Sequence, residues 1–115
     1  MVGSYVPDAG DLVWLDFDPQ AGREQAGRRP AVILSAQFFN QKTGVAYVCL
    51  ITSRVKGYRF HVLLPGGLPV HGSVLCEHMR SLDWRARNVI LMGKMPDAIL
   101  KEVRAAVRTF AGIPR

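Results

Sequence analysis

Five or six short apolar runs, each cut off by turn residues, govern what this chain can become. They are DLVWLDF (11–17), PAVILS (30–35), VAYVCLITS (45–53), YRFHVLL (58–64), SVLCEHMRSLDW (73–84) and VILMG (89–93). Each is strand-length, rich in β-branched and aromatic residues and flanked by Gly, Pro, Asn or Asp. In DLVWLDF, Val13, Leu15 and Phe17 share one face, which predicts a half-buried strand. PAVILS is a short, β-branched apolar run, which predicts a buried strand. SVLCEHMRSLDW is long for a strand and predicts a bulge. AQFFNQKTG reads as a short helix closed by Gly44, and RVKG as a tight basic hairpin connection.

The end of the chain changes period. Pro96 suits the first position of a helix, and Asp97 favours its positive N-terminus. Ile99, Leu100, Val103, Val107 and Phe110 then recur at helical spacing, Lys101, Arg104 and Arg108 point elsewhere, and Gly112 supplies the stop. The expected fold is therefore mainly β (α+β): a small, partly open barrel with a short internal helix and a C-terminal amphipathic helix. At 115 residues, without repeat, low-complexity tract or linker, residues 1–115 read as a single domain.

Several classes fall away. No apolar run approaches the roughly 20 residues that span a bilayer, and the start, MVGSYVPDAGDLVW, has neither the basic opening nor the apolar segment of an export signal. Cytoplasm is the expected location, with no membrane contact. Cys49 and Cys76 lie in strand-like apolar contexts and read as reduced core thiols. The net charge of +6 and pI near 9.9 point to a polyanionic partner. Its distribution is sharper than its total. Residues 1–22 hold four aspartates and no Lys or Arg, whereas residues 23–60 hold seven basic residues against Glu24 alone.

Arg29 draws attention first. It stands in a long polar stretch (DPQAGREQAGRR) between two core strands, and Pro30 biases it to extended backbone, so its guanidinium leaves from a defined point at the barrel rim. That arrangement suits bidentate binding of a phosphate; a structural ion pair with Asp16 or Asp18 is the plainer alternative. Thr52 and Ser53 end a strand, where their hydroxyls either donate to a phosphate or satisfy the turn. Lys56, Tyr58 and Phe17 would add a stacking surface for single-stranded bases if exposed, and solvated charge and core if not. His61, His71, His78 and Cys76 form no recognised metal spacing; Cys76 and His78 on one strand face would give two ligands at best. A serine-hydrolase elbow and a phosphate-cradling glycine loop are both missing.

The stretch YVPDAGDLVWLDFDP…GREQAGRRPAVILS, with NQKTG, ITS, KGYRF and RSLDWRAR, resembles the MazF/PemK family of toxins from toxin–antitoxin pairs. The likeness covers nearly the whole chain, most weakly in residues 64–78 and the final helix. It implies a homodimer of SH3-like barrels that cleaves single-stranded RNA (mRNA) at short sequences with no metal and no cofactor. The products are a 2′,3′-cyclic phosphate and a 5′-hydroxyl, and translation and growth are inhibited. It also implies a cognate MazE-like antitoxin whose acidic C-terminal segment covers the RNA groove. By resemblance the catalytic positions fall on Arg29, Thr52 and Glu24, and RNA contacts on Gln25, Lys56 and Arg87, with Arg28, Ser53 and Tyr58 as further candidates. Arg28 departs from a histidine in a relative, Leu50 from a common proline and His78 from a frequent glutamine, so no cleavage sequence is carried over. Fold alone does not establish cleavage. A CcdB-like, gyrase-binding toxin and a plain RNA-binding barrel remain as alternatives.

Overall fold

The computed structural model describes residues 5–16, 27–54 and 60–111. Glu24, Gln25, Lys56 and Tyr58, together with Phe17 and Gly112, lie outside them. In chain order the elements are β1 (Asp11–Asp16), β2 (Arg28–Ile33), α1 (Gln37–Thr43), β3 (Val45–Thr52), β4 (His61–Leu63), β5 (Ser73–Asp83), β6 (Ile90–Lys94) and α2 (Asp97–Ala111). Among the described residues the six strands form one antiparallel sheet in the order β4-β5-β3-β2-β1-β6. Val70, from the loop after β4, and Met95, just beyond β6, belong to one core cluster. The two sheet edges therefore curl toward each other, giving the mainly β, partly open architecture that the sequence predicts.

Two cores sandwich the sheet. On one face α2 lays Leu100, Val103 and Val107 against Leu12, Val32, Ile51, Val62 and Val74. Each such aliphatic side chain, fully buried, contributes about 1.5–3 kcal/mol before entropy is counted. On the other face Val13, Leu15, Ala31, Ile33, Val48 and Leu50 pack with Leu82 and Trp84. This corrects the half-buried reading of β1. Leu12 and Val13, on opposite faces, are both fully buried, because β1 lies inside a sheet covered on both sides. The predicted bulge in β5 is present, as a register shift opposite Leu50. Of the strand expected over 58–64, the described residues form a ladder at His61–Leu63, and residues 58 and 59 lie outside them.

α2 starts where Pro96 and Asp97 predict, with Pro96 O accepting from the N–H groups of Ile99 and Leu100. Lys101, Arg104 and Arg108 are exposed, and Arg104 also donates to the Leu34 carbonyl at 2.8 Å. Cys49 and Cys76 are free and buried, as expected. Burial pushes their thiols up to about 12 and about 11, so both are unreactive near neutral pH.

The end of the sheet beside α1 is tied by buried polar groups. Asn40 is fully buried; its amide donates to the carbonyls of Pro7 (2.8 Å) and Ser35 (3.0 Å), and its own carbonyl accepts the Trp84 indole N–H at 2.9 Å. Nearby, Asp11 accepts from the Tyr5 hydroxyl, the Asp8 N–H and Lys94 Nζ. Burial, then the bond to Asp11, raises the Tyr5 phenol well above its ordinary range.

Candidate active site

The far end of the β2–β3 pair opens instead of closing. Pro30 carries no N–H, so it cannot donate to a neighbouring strand. The recorded β2–β3 ladder stops at the pair Ala31↔Leu50, one residue short of it. Beyond that pair the strands border a cleft of about 680 Å³. Its polar lining is Arg29, Thr52, Ser53, Arg54 and His71, and its walls are Trp14, Pro30, Ile51, Pro69 and Val70.

Arg29 is held by β1, where it pairs with Leu15, and its backbone is extended as Pro30 dictates. Thr52, at the end of β3, lines the same cleft. Among the described residues Arg29 makes no ion pair. Asp16, the plainer partner, accepts from Asn88 Nδ2 at 2.7 Å.

For Thr52 the structure bears out the turn reading. Its Oγ1 accepts the Arg54 N–H at 3.1 Å, which closes the turn, and its own O–H is left to donate. Its backbone is buttressed by Gly72 at φ +124, where an added Cβ would fall 1.9 Å from the Thr52 carbonyl oxygen. Only glycine fits that approach.

Ser53 lines the cleft beside Thr52. Arg28 does not; it is exposed and its guanidinium lies 5.7 Å from the ring centroid of Trp14, which does. Arg87 sits in the turn after β5, where its guanidinium and carbonyl bind the Asp16 backbone. Thus the structure gathers Arg29, Thr52 and Ser53 and places Arg28 and Arg87 near the outer end of β1. His71, weighed from sequence only as a metal ligand, and Arg54, counted only as charge, are lining residues that sequence reasoning missed. The one local signal for His71 was its place between a breaker-rich loop and Gly72.

The electrostatics favour an anion. Both charged residues among the described lining are arginines. Among the described residues no three His, Cys, Asp or Glu side chains are gathered as a metal would require. A second cleft of about 470 Å³, between Tyr5 and Val89, has Trp84, Arg85 and Asn88 in its lining. The Tyr5 hydroxyl, the Trp84 N–H and the Asn88 amide there are already committed to Asp11, Asn40 and Asp16.

Comparison with known proteins decides the family. Residues 8–111 match the family described as PemK-like, MazF-like toxin of type II toxin–antitoxin systems. The chain belongs to the MazF/PemK toxin family. It is 43% identical over 112 residues to the Endoribonuclease toxin MazF of Escherichia coli (strain K12), covering 97% of this chain and 100% of that relative. It is 38% identical over 101 residues to the Endoribonuclease toxin ChpB of the same strain, covering 83% and 85%. Among solved structures, MazF from Deinococcus radiodurans superposes with a TM-score of 0.87 at 52% identity, covering 96% of this chain and all of that one. The MazE–MazF complex from the same organism gives 0.86 at 46% identity with the same coverage. Both MazF/PemK hallmarks read from the sequence, the Arg29–Pro30 pair and the strand-end Thr52, meet at the cleft.

Proposed function

We propose that this MazF/PemK-family chain is the endoribonuclease toxin of a type II toxin–antitoxin pair. It cuts single-stranded RNA, mRNA included, at short sequences and without a metal, leaving a 2′,3′-cyclic phosphate and a 5′-hydroxyl. The observation that carries this reading is that Arg29 and Thr52 line one open cleft whose charged lining, among the described residues, is arginine.

RNA brings its own nucleophile, the 2′-hydroxyl, so the protein's task is to align it and stabilise charge. Arg29 binds the scissile phosphate through its planar fork and meets the negative charge that develops as the pentacoordinate phosphorus forms. Its protonated guanidinium gives a hydrogen bond or a proton to the leaving 5′-oxygen. Thr52 donates its O–H to a nonbridging oxygen. Glu24 serves as anchor for Arg29 rather than as base for the 2′-hydroxyl. Ser53, Gln25, Lys56, Tyr58, Arg28 and Arg87 extend the contact along the RNA.

The working form is a homodimer of SH3-like barrels in the cytoplasm, restrained by a MazE-like antitoxin. Support comes from the solved MazE–MazF complex to which the chain is similar. No described helix is long and apolar enough to cross a membrane. The gyrase-directed alternative has less behind it, since the curated relatives quoted above are named endoribonucleases.

The test is incubation of antitoxin-free protein with a long unstructured RNA in EDTA, followed by sequencing of every new 5′-hydroxyl end. Cuts at one short motif, lost in Arg29→Ala, are expected; intact RNA with folded protein overturns the reading. Glu24→Gln should cleave at a near-normal rate, and loss of cleavage in that variant makes Glu24 the base.

A further inference from the structure

We propose that His71 is the general base of the RNA cleavage reaction, taking the proton from the attacking 2′-hydroxyl. The inference rests on the endoribonuclease reading above and supplies a group that reading lacks. Cyclisation of the 2′-oxygen onto phosphorus needs a proton acceptor beside the phosphate. The described cleft lining has two guanidinium groups, two hydroxyls and one indole, none of which accepts a proton near neutral pH. The imidazole of His71 does, because a neutral imidazole has one ring nitrogen whose lone pair accepts a proton.

Position supports the chemistry. His71 is exposed to solvent at the cleft, yet its backbone is not a loose loop tip. On one side Val70 is buried in the core beneath α2. On the other, Gly72 is packed against the Thr52 carbonyl, and its own carbonyl accepts the Leu64 N–H at 2.8 Å. Ser73 then pairs with Thr52 in the β5–β3 ladder. The backbone at His71 is thus fixed within two positions of the partner of Thr52, which sets where its side chain enters the cleft. Among the described residues, the charged groups that share the cleft with it are Arg29 of β2 and Arg54 beyond β3. Its own loop, residues 64–72, carries no other charged side chain.

The step balances without a further reactant. A ring nitrogen of His71 takes the 2′-hydroxyl proton as the 2′-oxygen bonds to phosphorus. The bond from phosphorus to the 5′-oxygen breaks, and that oxygen takes a proton from Arg29, which solvent restores. The imidazolium then returns its proton to solvent, leaving the cyclic phosphate and the 5′-hydroxyl.

The experiment is steady-state cleavage of a short RNA containing the cut motif, by the full chain freed of antitoxin, across about pH 5.5 to pH 8.5. For the unmodified protein kcat/KM should rise with pH through the histidine range and level off. His71→Asn should lower kcat by about a hundredfold or more with KM little changed, and abolish that acidic limb. In His71→Ala, imidazole added to the buffer should restore cleavage in proportion to its neutral fraction, which a merely structural residue would not permit. Retention of the acidic limb with kcat within about threefold of normal overturns the proposal. So does activity that falls, rather than rises, as the pH increases through that range. If the unmodified protein cleaves no RNA, the endoribonuclease reading fails and this one with it; cleavage that depends on Arg29 but not on His71 sinks this one alone.

Discussion

The two ends of the β2–β3 pair use polar side chains in opposite ways. Beside α1, Asn40 is fully buried and engages Pro7, Ser35 and Trp84, while Asp11, 6% exposed, gathers Tyr5, Asp8 and Lys94. At the cleft, Arg29 makes no ion pair among the described residues, Thr52 keeps its O–H free to donate, and His71 faces solvent. A buried polar group left unpaired costs about 1–3 kcal/mol, so the first end holds its polar residues by satisfying them internally. The second end stays open because Pro30 interrupts the ladder. There the polar groups are left open to solvent. One end holds the fold, and the other keeps its binding capacity for a ligand.

Substitutions at the two ends should therefore separate activity from stability. The largest effect is expected for Arg29→Ala, which should cost about 3–4 kcal/mol of transition-state stabilisation, or more than a hundredfold in cleavage rate. Its melting temperature should stay close to normal, as differential scanning calorimetry would show; a collapse in stability would move Arg29 to the structural side of the comparison. Asn40→Ala should reverse the pattern. Loss of the amide bonds in a fully buried site should lower unfolding free energy by about 2–3 kcal/mol in urea titration, with cleavage per folded molecule unchanged. If cleavage fell in step with a rate effect at low temperature, the two ends would be coupled.

The smallest effect should come from a pair belonging to neither end. Glu77 meets His61 Nε2 at 2.8 Å on the β4–β5 surface, with His78 at 3.9 Å. Burial opposes ionisation of Glu77, but the His61 hydrogen bond and both imidazoles outweigh it and hold the carboxyl below its ordinary 4.5. A carboxylate lowered on folding stabilises the protein above its unfolded pKa and ceases to do so as pH falls through its folded value. The difference in melting temperature between the unmodified protein and Glu77→Gln should therefore be small near neutral pH and vanish in strong acid. A large difference at neutral pH would show that pairing, not burial, sets the cost of losing such contacts.

Legibility from the sequence followed the range of the physics. The strands, the β5 bulge, the Gly44 stop and the start of α2 were all readable, because each depends on residues within a few positions of one another. The extended backbone of Arg29 was readable for the same reason. The half-buried reading of β1 failed because alternation reports one covered face and cannot see a second core assembled from Leu82, Trp84 and their neighbours. For Thr52, donation to a phosphate and satisfaction of the turn were posed as rivals, and the 3.1 Å bond from Arg54 bears out the turn.

By itself the sequence determined the local geometry: short strands from β-branched runs, a helix from apolar spacing at 3.6 residues, and an arginine held extended by the proline that follows it. It also determined the family, because an ordered string of motifs survives without coordinates. Only the tertiary structure decided that Thr52 and Arg29 line one cleft and that Gly72 packs on the Thr52 backbone. It alone brought His71, from a loop with no motif of its own, into the same cleft. Those relations are set by strand register and by contacts between distant segments. Such contacts exist only once the sheet has paired and curled, and no window of neighbouring residues contains them.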